Sequence, residues 1–424
     1  MFRFSALVMG FSILIMIGCQ SVEDPNQEIP VTQAPVLGSL AGSDQTVLAS
    51  MQAAGNYFKK HQLDAGRFEY LINPEGTSND GNLYNVVRHA GVLYALAAYA
   101  TYTGDMQFNE VLQKASDYLL ETNVKPVDDT GCLAVWSVPG ENFYKDSFAK
   151  AKLGATGLAL TGLIMGEQVL GKQYPLDKLQ KLGDFLCYMQ LEDGGFYATY
   201  HEKAGRVEPK MYQFFPGEAA LGLCLLYQRD KQQKWLDAAI KAVSLPANTM
   251  EETEKKAIDH WDLIAIAKVF EVLNAEGQSL TTYDYLKTYS RRLVERLLAE
   301  LAASPIPGCF TDNWTTTPTA TRLEGLTAAM RWLPADDALM PDLKKAIPLG
   351  CQFLMDAQLK EGPHAGGIPM AVKKKDLESG GESRFAKERF NNHAAEIRID
   401  YVQHVMCALL GYHQLIQQGL LETK

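Results

Sequence analysis

Two kinds of helical segment alternate along this 424-residue chain, and their alternation constrains the fold more than any other feature. Six segments are apolar or small on every side of a helix, so each must be enclosed by protein. They span 84–102, 152–169, 216–228, 258–275, 320–333 and 396–416. The segments between them carry a single apolar stripe at helical spacing and belong on the outside. These span 47–61, 106–121, 176–190, 232–244, 281–302 and 340–358.

Most amphipathic segments are followed by the same connection, a glycine-bearing turn and a short aromatic or β-prone piece. Such pieces lie at 63–71, 191–200, 306–314 and 364–372, and more loosely at 130–138. Repeated use of one connection indicates a repeated helical hairpin. Six inner and six outer helices therefore predict an all-α domain over 47–424, closed into an (α/α)6 toroid. An open α-solenoid is the alternative.

Closure of the ring makes a specific prediction about the two ends of the domain. The first amphipathic helix, around Met51 to Lys60, has no apolar partner ahead of it in the sequence. We therefore expect it to pack beside the last apolar helix, around Tyr401 to Gln417. Truncation from residue 396 onward should then unfold the whole body.

The N-terminus predicts secretion. One basic residue, Arg3, precedes an apolar run that is too short to span a bilayer and stops at Cys19. The tetrapeptide MIGC at 16–19 resembles the lipobox of bacterial lipoproteins. That resemblance implies a signal peptide over 1–18 and a lipid on Cys19. An ordinary secretory signal with an incidental cysteine is the alternative.

The residues after Cys19 predict how the body is held. Residues 19–46 are rich in proline and polar residues without a period, which is typical of a flexible tether. We expect a lipid-anchored protein of the cell envelope, and the outer membrane in a diderm cell because Gln20 follows Cys19. Nothing after residue 19 looks apolar for long enough to cross a membrane.

Composition excludes some partners and cofactors. A formal charge of −10 with scattered basic residues argues against nucleic acid as a ligand. The chain has no GxGxxG, P-loop or HExxH motif, and no GxSxG between a strand and a helix. We therefore expect no metal and no cofactor, and no protein partner can be inferred.

The cysteines point to packing rather than chemistry. Cys187, Cys224, Cys351 and Cys407 lie inside apolar helical patterns, which favours small core residues over ligands. A disulfide that involves Cys132 or Cys309 stays open in an oxidising compartment.

Polar residues accumulate at the N-terminal turns of the apolar helices, where one end of a ring would open. Burial of ionised groups costs several kcal/mol unless they are paired, so this accumulation needs an explanation. The residues are Asn85, Arg88, His89, Glu218, Asp259, His260, Trp261, Asp262, Arg322, Glu324, Glu396, Arg398, Asp400 and His404. Glu396, Asp400 and His404 are four apart and would share one helix face. Structural ion pairs, such as Arg88 with Asp262 or Asp400, and hydrogen-bonded core histidines are the alternative.

Three sequence pieces carry a family resemblance. QLEDGGF at 190–196, NVVRHAG at 85–91 and RIDYVQH at 398–404, together with the six hairpins, resemble the six-hairpin glycosidase superfamily. That superfamily includes glycoside hydrolases, unsaturated glucuronyl hydrolases, sugar epimerases and some polysaccharide lyases. The resemblance implies a carbohydrate ligand near the ring axis, but no complete catalytic signature of a member is present.

Aromatic residues in the loops fit a sugar ligand, since sugar rings stack on aromatic faces. The alternative is that they serve only to cover the core of a toroid. Trp136, Phe143 and Tyr144 precede the second apolar helix, Tyr212, Phe214 and Phe215 precede the third, and Trp261 and Trp314 flank the fourth and fifth.

The leading functional hypothesis is a glycoside hydrolase, which needs one protonated carboxyl and one ionised carboxylate. The candidate catalytic residues are Asp400, Glu396, Asp262 and Glu218. The candidate substrate-binding residues are Asn85, Arg88, His89, Trp136, Tyr144, His260, Trp261, Glu324, Arg398 and His404. We expect Arg88 to keep one carboxylate ionised while Glu218, Asp259 or Asp262 stays protonated.

The sequence is compatible with two other functions. A lipid-anchored protein that binds or assembles glycans would use the same cleft without turnover. An epimerase or lyase would use His89, His260 or His404 to exchange a proton on a sugar carbon.

Overall fold

The computed structural model describes residues 42–76, 83–140, 148–207, 213–250 and 258–422. Two predicted functional residues, Cys19 and Tyr144, lie outside these ranges, as do Phe143, Tyr212 and most of the tether. The described residues form thirteen α-helices and seven short strands.

Six helices form the inner wall of a ring, and their bounds lie within a few residues of the apolar segments. They are α2 (Val86–Thr103), α4 (Leu153–Leu170), α6 (Phe215–Asp230), α8 (His260–Ala275), α10 (Thr316–Met330) and α13 (Ile399–Gln417). Six more helices pack outside. They are α1 (Gly42–Lys60), α3 (Asn109–Tyr118), α5 (Leu176–Met189), α7 (Gln233–Asn248), α9 (Asp284–Ala303) and α11 (Met340–Ala357). An additional helix, α12 (Arg384–His393), lies in the last connection.

The inner helices contact each other in a closed cycle. Each contacts the next one along the chain, and α13 contacts α2. The outer helix α1 packs against α13, which confirms the predicted seam between the two ends of the domain. The protein is therefore an (α/α)6 toroid rather than an open solenoid.

Helix α4 corrects one expectation. Among the described helices it alone is long and apolar enough, by composition, to cross a membrane, so the statement that nothing after residue 19 has this character is wrong. However, 72% of its 18 residues are buried inside the protein. Its apolar surface is explained by enclosure within the ring.

The strands are short and pair the loops between helices with each other, so they do not form a separate sheet layer of the fold. They are β1 (Leu71–Ile72), β2 (Val124–Pro126), β3 (Leu133–Val135), β4 (Lys150–Lys152), β5 (Thr199–His201), β6 (Gly205–Arg206) and β7 (Ile397–Arg398). β1 pairs antiparallel with β7, with Leu71 opposite Arg398, and so adds a second seam between the two ends of the domain. β4, which directly precedes α4, forms a small antiparallel sheet with β5 and β6, which follow α5.

The repeated turns share one hydrogen-bond arrangement. Three of them carry a glutamine one or two residues after the end of an outer helix, and its side-chain amide donates to a main-chain carbonyl of the next outer helix. The pairs are Gln62 with Val111 (2.9 Å), Gln190 with Ala238 (2.9 Å) and Gln358 with Ser50 (3.0 Å). The same amides reach the carbonyls of Gly66, Gly194 and Gly366 in their turns. The repeated sequence therefore fastens neighbouring hairpins to each other.

The glycines of these turns are required by their surroundings. Gly194 has φ +103°, and a Cβ there would lie 2.3 Å from the carbonyl oxygen of Lys241 in α7. A Cβ at Gly66 would lie similarly close to a main-chain carbonyl oxygen of α3, and a Cβ at Gly366 to one of α1. Only a residue without a side chain lets the turn approach the next helix this closely.

The six described cysteines after Cys19 are free thiols. Cys224, Cys351 and Cys407 are buried, as expected of core residues, and Cys187 is partly buried. Neither Cys132 nor Cys309 forms a disulfide with another described residue.

Candidate functional site

A cavity of about 870 Å³ opens where the inner helices begin. We call it the front cavity. All six inner helices or the residues just before them contribute to its wall. It contains eight of the predicted site residues: Asn85, Arg88, Glu218, His260, Trp261, Arg398, Asp400 and His404. Asn85 also caps α2, because its side chain accepts a hydrogen bond from Val87 N at 3.0 Å.

Two arginines in the front cavity share one carboxylate. Arg398 binds both oxygens of Asp400, with Nε to Oδ1 at 2.5 Å and Nη2 to Oδ2 at 2.9 Å. Arg88 Nε approaches Oδ2 of Asp400 at 3.1 Å, and its guanidinium also donates to the hydroxyl of Tyr70. Burial alone would raise the pKa of Asp400, but the two guanidiniums outweigh it and lower this pKa to about 2. Asp400 is therefore an ionised carboxylate, as expected from Arg88.

Glu218 is in the opposite electrostatic state. Its side chain is buried on α6, and Oε2 has no hydrogen-bond partner among the described residues. It packs against Gly154 of α4, where a Cβ would lie 1.9 Å from Oε2. Burial raises the pKa of Glu218 to about 8, so the carboxyl is mostly protonated at neutral pH.

Two histidines meet in the front cavity. The ring centroids of His260, at the start of α8, and His404, in the second turn of α13, are 5.7 Å apart. Burial, with smaller contributions from His404 and Arg322, lowers the pKa of His260 well below its usual value, so this ring is neutral. Its Nε2 has no hydrogen-bond partner among the described residues.

Glu324 holds His404. Its Oε1 lies 2.7 Å from His404 Nδ1. Glu324 is buried on α10, and burial raises its pKa while His404 opposes the rise. A carboxyl group hydrogen-bonded to one ring nitrogen fixes the orientation of the imidazole.

His260, Glu324 and His404 are also the described residues that could hold a metal ion. Each offers one ligand atom, and these atoms lie within 4.8 Å of one another. Two histidines and a carboxylate suit a transition metal, whose tetrahedral ligand atoms would stand roughly 3.4 Å apart.

Glu396 lies outside the front cavity, contrary to expectation. Its side chain accepts a hydrogen bond from Nδ1 of His393 at 2.7 Å. The predicted four-residue stripe fails because α13 begins at Ile399, and the residues before it form strand β7. In extended backbone the helical spacing no longer applies.

Asp262 also lies outside the front cavity. Its Oδ2 accepts a hydrogen bond from the hydroxyl of Tyr289 in α9 at 2.5 Å, so it ties an inner helix to an outer one. Burial raises the pKa of Asp262 to about 6. Asp259 caps α8 by accepting from Trp261 N at 2.9 Å, and burial, assisted by Asp262, raises its pKa.

His89 is a core histidine rather than a ligand of the front cavity. Its Nε2 lies 2.9 Å from the carbonyl oxygen of Ala115, and its Nδ1 lies 2.6 Å from the hydroxyl of Tyr84. Because a carbonyl can only accept, Nε2 carries the proton and Nδ1 accepts from Tyr84. Burial lowers the pKa of His89 to about 4.

Trp136 is buried away from the front cavity, and its indole N–H donates to the carbonyl of Lys125 at 3.3 Å. Trp314 lies outside the cavity as well, whereas Phe214 and Phe215 line it. Sequence reasoning missed several lining residues: Tyr70, Lys150, Lys152, Thr199, Thr317, Thr321 and Gln403. Gln403 could have been predicted from the sequence, since it directly precedes the candidate residue His404. The lysines belong to strand β4, which the pattern of helices did not reveal.

Comparisons with known proteins identify the fold. No protein-family model and no curated protein matches this chain. Solved structures do match it, among them a D-mannose isomerase (TM-score 0.61, 11% identity, covering 88% of this chain and 99% of that one). A cellobiose 2-epimerase from Spirochaeta thermophila gives a TM-score of 0.59 at 13% identity over 86% and 96% of the two chains. A GH76 α-mannanase from Bacteroides thetaiotaomicron gives 0.56 at 9% identity over 88% and 97%.

The neighbours share the (α/α)6 toroid fold, which confirms the predicted fold. A structural similarity at such low sequence identity identifies the (α/α)6 toroid fold, but it does not show that the proteins catalyse the same reaction. The chemistry has to be argued from the front cavity itself.

Proposed function

We propose that this protein is a sugar isomerase or epimerase that moves a proton on the carbon beside the carbonyl group of a reducing sugar. The observation that carries the proposal is the pair of histidines, His260 and His404, in one cavity with ring centroids 5.7 Å apart. Proton transfer from and to carbon needs one group that accepts a proton and another that donates one. The neighbours named isomerase and epimerase support this class.

The two histidines differ in a way that suits the two roles. His260 is neutral and offers an Nε2 without a protein partner, so it suits the proton acceptor. His404 is held by the Glu324 carboxyl at 2.7 Å and suits the donor. A candidate acid or base must first lie within reach of the same reacting carbon, and only then does its pKa matter.

The reaction then balances without an added reactant. The acceptor takes the proton from C2 of the open-chain aldose, and the C–H electrons form the C1–C2 double bond of an enediol while the carbonyl oxygen gains a proton. Return of a proton to the other face of C2, with loss of the O1 proton, gives the epimer. Return of a proton to C1, with loss of the O2 proton, gives the ketose.

The remaining polar groups of the front cavity suit sugar binding. The Arg88, Asp400 and Arg398 cluster presents fixed charges, and the protonated Glu218 presents a hydroxyl donor and a carbonyl acceptor. Trp261, Phe214 and Phe215 supply aromatic faces in the same wall. Convergent polar groups on an apolar wall are typical of small-molecule sites.

A glycoside hydrolase is the second candidate. It is favoured by two carboxyls in one cavity whose pKa values are driven apart, about 2 for Asp400 and about 8 for Glu218. Against it, both oxygens of Asp400 are bound by guanidiniums, so this carboxylate is poorly placed to attack carbon or to activate water.

We further propose that the protein acts in the cell envelope, anchored by lipid on Cys19. The sequence at 16–19 supports the anchor. Helix α1 begins at Gly42, and Asp44 lies 3.5 Å from Gln417 at the C-terminal end of α13. The first described turn of α1 therefore lies at the end of the toroid opposite the front cavity.

The test is a screen of the full-length protein against reducing mono- and disaccharides, with products separated by chromatography. We expect an isomer or epimer to appear, and His404→Asn to lower kcat by at least about 100-fold. His364→Asn, at a histidine that stacks on His61 outside the cavity, is the matched control and should leave kcat unchanged.

Release of new reducing ends from oligosaccharides, abolished by Asp400→Asn, would support the hydrolase. Sugar binding without any product would support the glycan-binding alternative.

A further inference from the structure

A second cavity of about 890 Å³ opens at the other end of the ring, among the C-terminal halves of the inner helices. We call it the rear cavity. All six inner helices contribute to its wall, as they do at the front. Its volume lies within the range of small-molecule sites, roughly 300 to 1,000 Å³.

A layer of paired side chains separates the two cavities. In each pair, one residue lines the front cavity and the other lines the rear one. The pairs are His404 with Glu324 (2.7 Å), Trp261 with Tyr94 (ring centroids 6.0 Å) and Gln403 with Cys407 (3.7 Å). The rear cavity is therefore a separate space with its own mouth.

Two buried polar atoms at the rear cavity lack partners. The indole N–H of Trp332 and Oε2 of Glu324 have no hydrogen-bond partner among the described residues. Both residues line this cavity. A buried polar group without a partner is costly, which favours a ligand that supplies one. Glu324 lies within α10, and Trp332 lies two residues beyond its last residue, Met330.

The charges of the rear cavity favour a neutral ligand. It is lined by two cations and two carboxyl groups. Lys268 is paired with Glu271 at 2.8 Å, and Arg331 donates to the side-chain oxygen of Gln414. The two cations are matched in number by two carboxyl groups, so the described wall offers no excess of positive groups for a phosphate or a carboxylate ligand.

The rest of the wall has the chemistry of a carbohydrate site. Tyr94, Phe270 and Trp332 supply aromatic rings, with Trp332 and Phe270 in edge contact at 5.3 Å. Gln414, Gln417 and Asn274 supply amides that both donate and accept. Sugars present apolar faces for such rings and hydroxyls for such amides.

We propose that the rear cavity is a second carbohydrate-binding site, which takes a neutral mono- or disaccharide independently of the front cavity. The ligand accepts a hydrogen bond from the indole of Trp332 and places a hydroxyl on Oε2 of Glu324. Because Glu324 also holds His404, a sugar in the rear cavity contacts the residue that orients a front-cavity histidine.

The test is calorimetric titration of the full-length protein with neutral mono- and disaccharides. We expect a saturable binding event that Trp332→Phe weakens by about fivefold, since the variant keeps the ring and loses one donor. Trp136→Phe is the matched control, because it removes an indole N–H outside both cavities, and it should leave the event unchanged. His260→Asn, at a residue that lines the front cavity and not the rear one, should leave it unchanged as well.

The result separates this site from the proposed reaction. A Trp332-dependent event that persists in His260→Asn supports the rear site even if the protein isomerises no sugar. Absence of binding by every neutral sugar of the panel would overturn the proposal. So would binding that Trp332→Phe leaves intact and His260→Asn abolishes, because the only site would then be the front cavity.

Discussion

Replacement of Glu218 by glutamine removes the one carboxyl that burial holds protonated in the wall of the front cavity. Burial raises its pKa from 4.5 to about 8 in the folded protein. Between these two values the folded state keeps a proton that the unfolded state has lost. The free energy of unfolding therefore falls as the pH rises, and this loss is complete above the folded pKa.

The size of the effect follows from the shift. A rise of about 3.5 pH units corresponds to about 5 kcal/mol, since each unit is about 1.4 kcal/mol. Glutamine is a neutral isostere of the protonated carboxyl and does not titrate. The difference in unfolding free energy between Glu218→Gln and the wild type should thus grow by about 5 kcal/mol from pH 4.5 to pH 9, in favour of the variant.

Urea denaturation at a series of pH values from 4.5 to 9 measures this difference. Asp262 and Glu324 titrate in both proteins, so their contributions cancel in the comparison, whereas the Glu218 carboxylate also raises the pKa of Asp259 and adds a smaller difference. Glu388→Gln, on the exposed side of α12, is the matched control and should follow the wild-type curve. Parallel curves for Glu218→Gln and the wild type would refute the conclusion that Glu218 is buried in an apolar setting.

Three further predictions concern the turns, one corrected site residue and the anchor. Gly194→Ala should lower the free energy of unfolding by at least about 2 kcal/mol, whereas Gly277→Ala, also at positive φ but with open space around it, should lower it less in the same urea titration. Asp262→Asn should leave kcat/KM on the identified sugar within about threefold of wild type, because its carboxyl contacts Tyr289 and not the front cavity; a loss of 100-fold would return it to the catalytic set. Cys19→Ser should move the protein from the membrane to the soluble fraction, and palmitate labelling that persists in the variant would contradict the lipid anchor.

The fold was predictable because its evidence is periodic. An inner helix of a toroid is enclosed on all sides, and the sequence of α4 has no polar face at all. The turn that recurs at Gly66, Gly194 and Gly366 repeats because each hairpin must approach the next in the same way. Periodicity and repetition survive in a single sequence, so the six helical hairpins and the closure of the ring could be predicted from it, whereas the additional helix α12 could not.

The candidate site was predictable only in part, because an all-apolar helix does not indicate which of its sides faces the axis. Arg88 and His89 are adjacent on α2, yet one points into the front cavity and the other contacts Ala115 of α3. In the same way, His260 lines the front cavity, whereas Asp262 on the same helix contacts Tyr289. The direction of each side chain depends on the packing of the neighbouring helices.

Glu396 shows a second limit of the sequence analysis, which is that it does not locate the first residue of a helix. The predicted segment began at residue 396, whereas α13 begins at Ile399 because the preceding residues pair with β1. The pairing partner lies more than three hundred residues away in the sequence, so local spacing carries no trace of it. Cavity residues that come from short strands, such as Lys150, were missed for the same reason.

Solvent deuterium in the recovered sugar tests the proposed proton transfer most directly. When His260 removes the proton on one face of the reacting carbon and His404 supplies one on the other, the new hydrogen comes from a group that exchanges with solvent. In heavy water the product should therefore carry deuterium at that carbon, as measured by NMR, and His404→Asn should suppress its incorporation along with turnover. Product formed at the wild-type rate without a carbon-bound deuterium would contradict proton exchange by the two histidines.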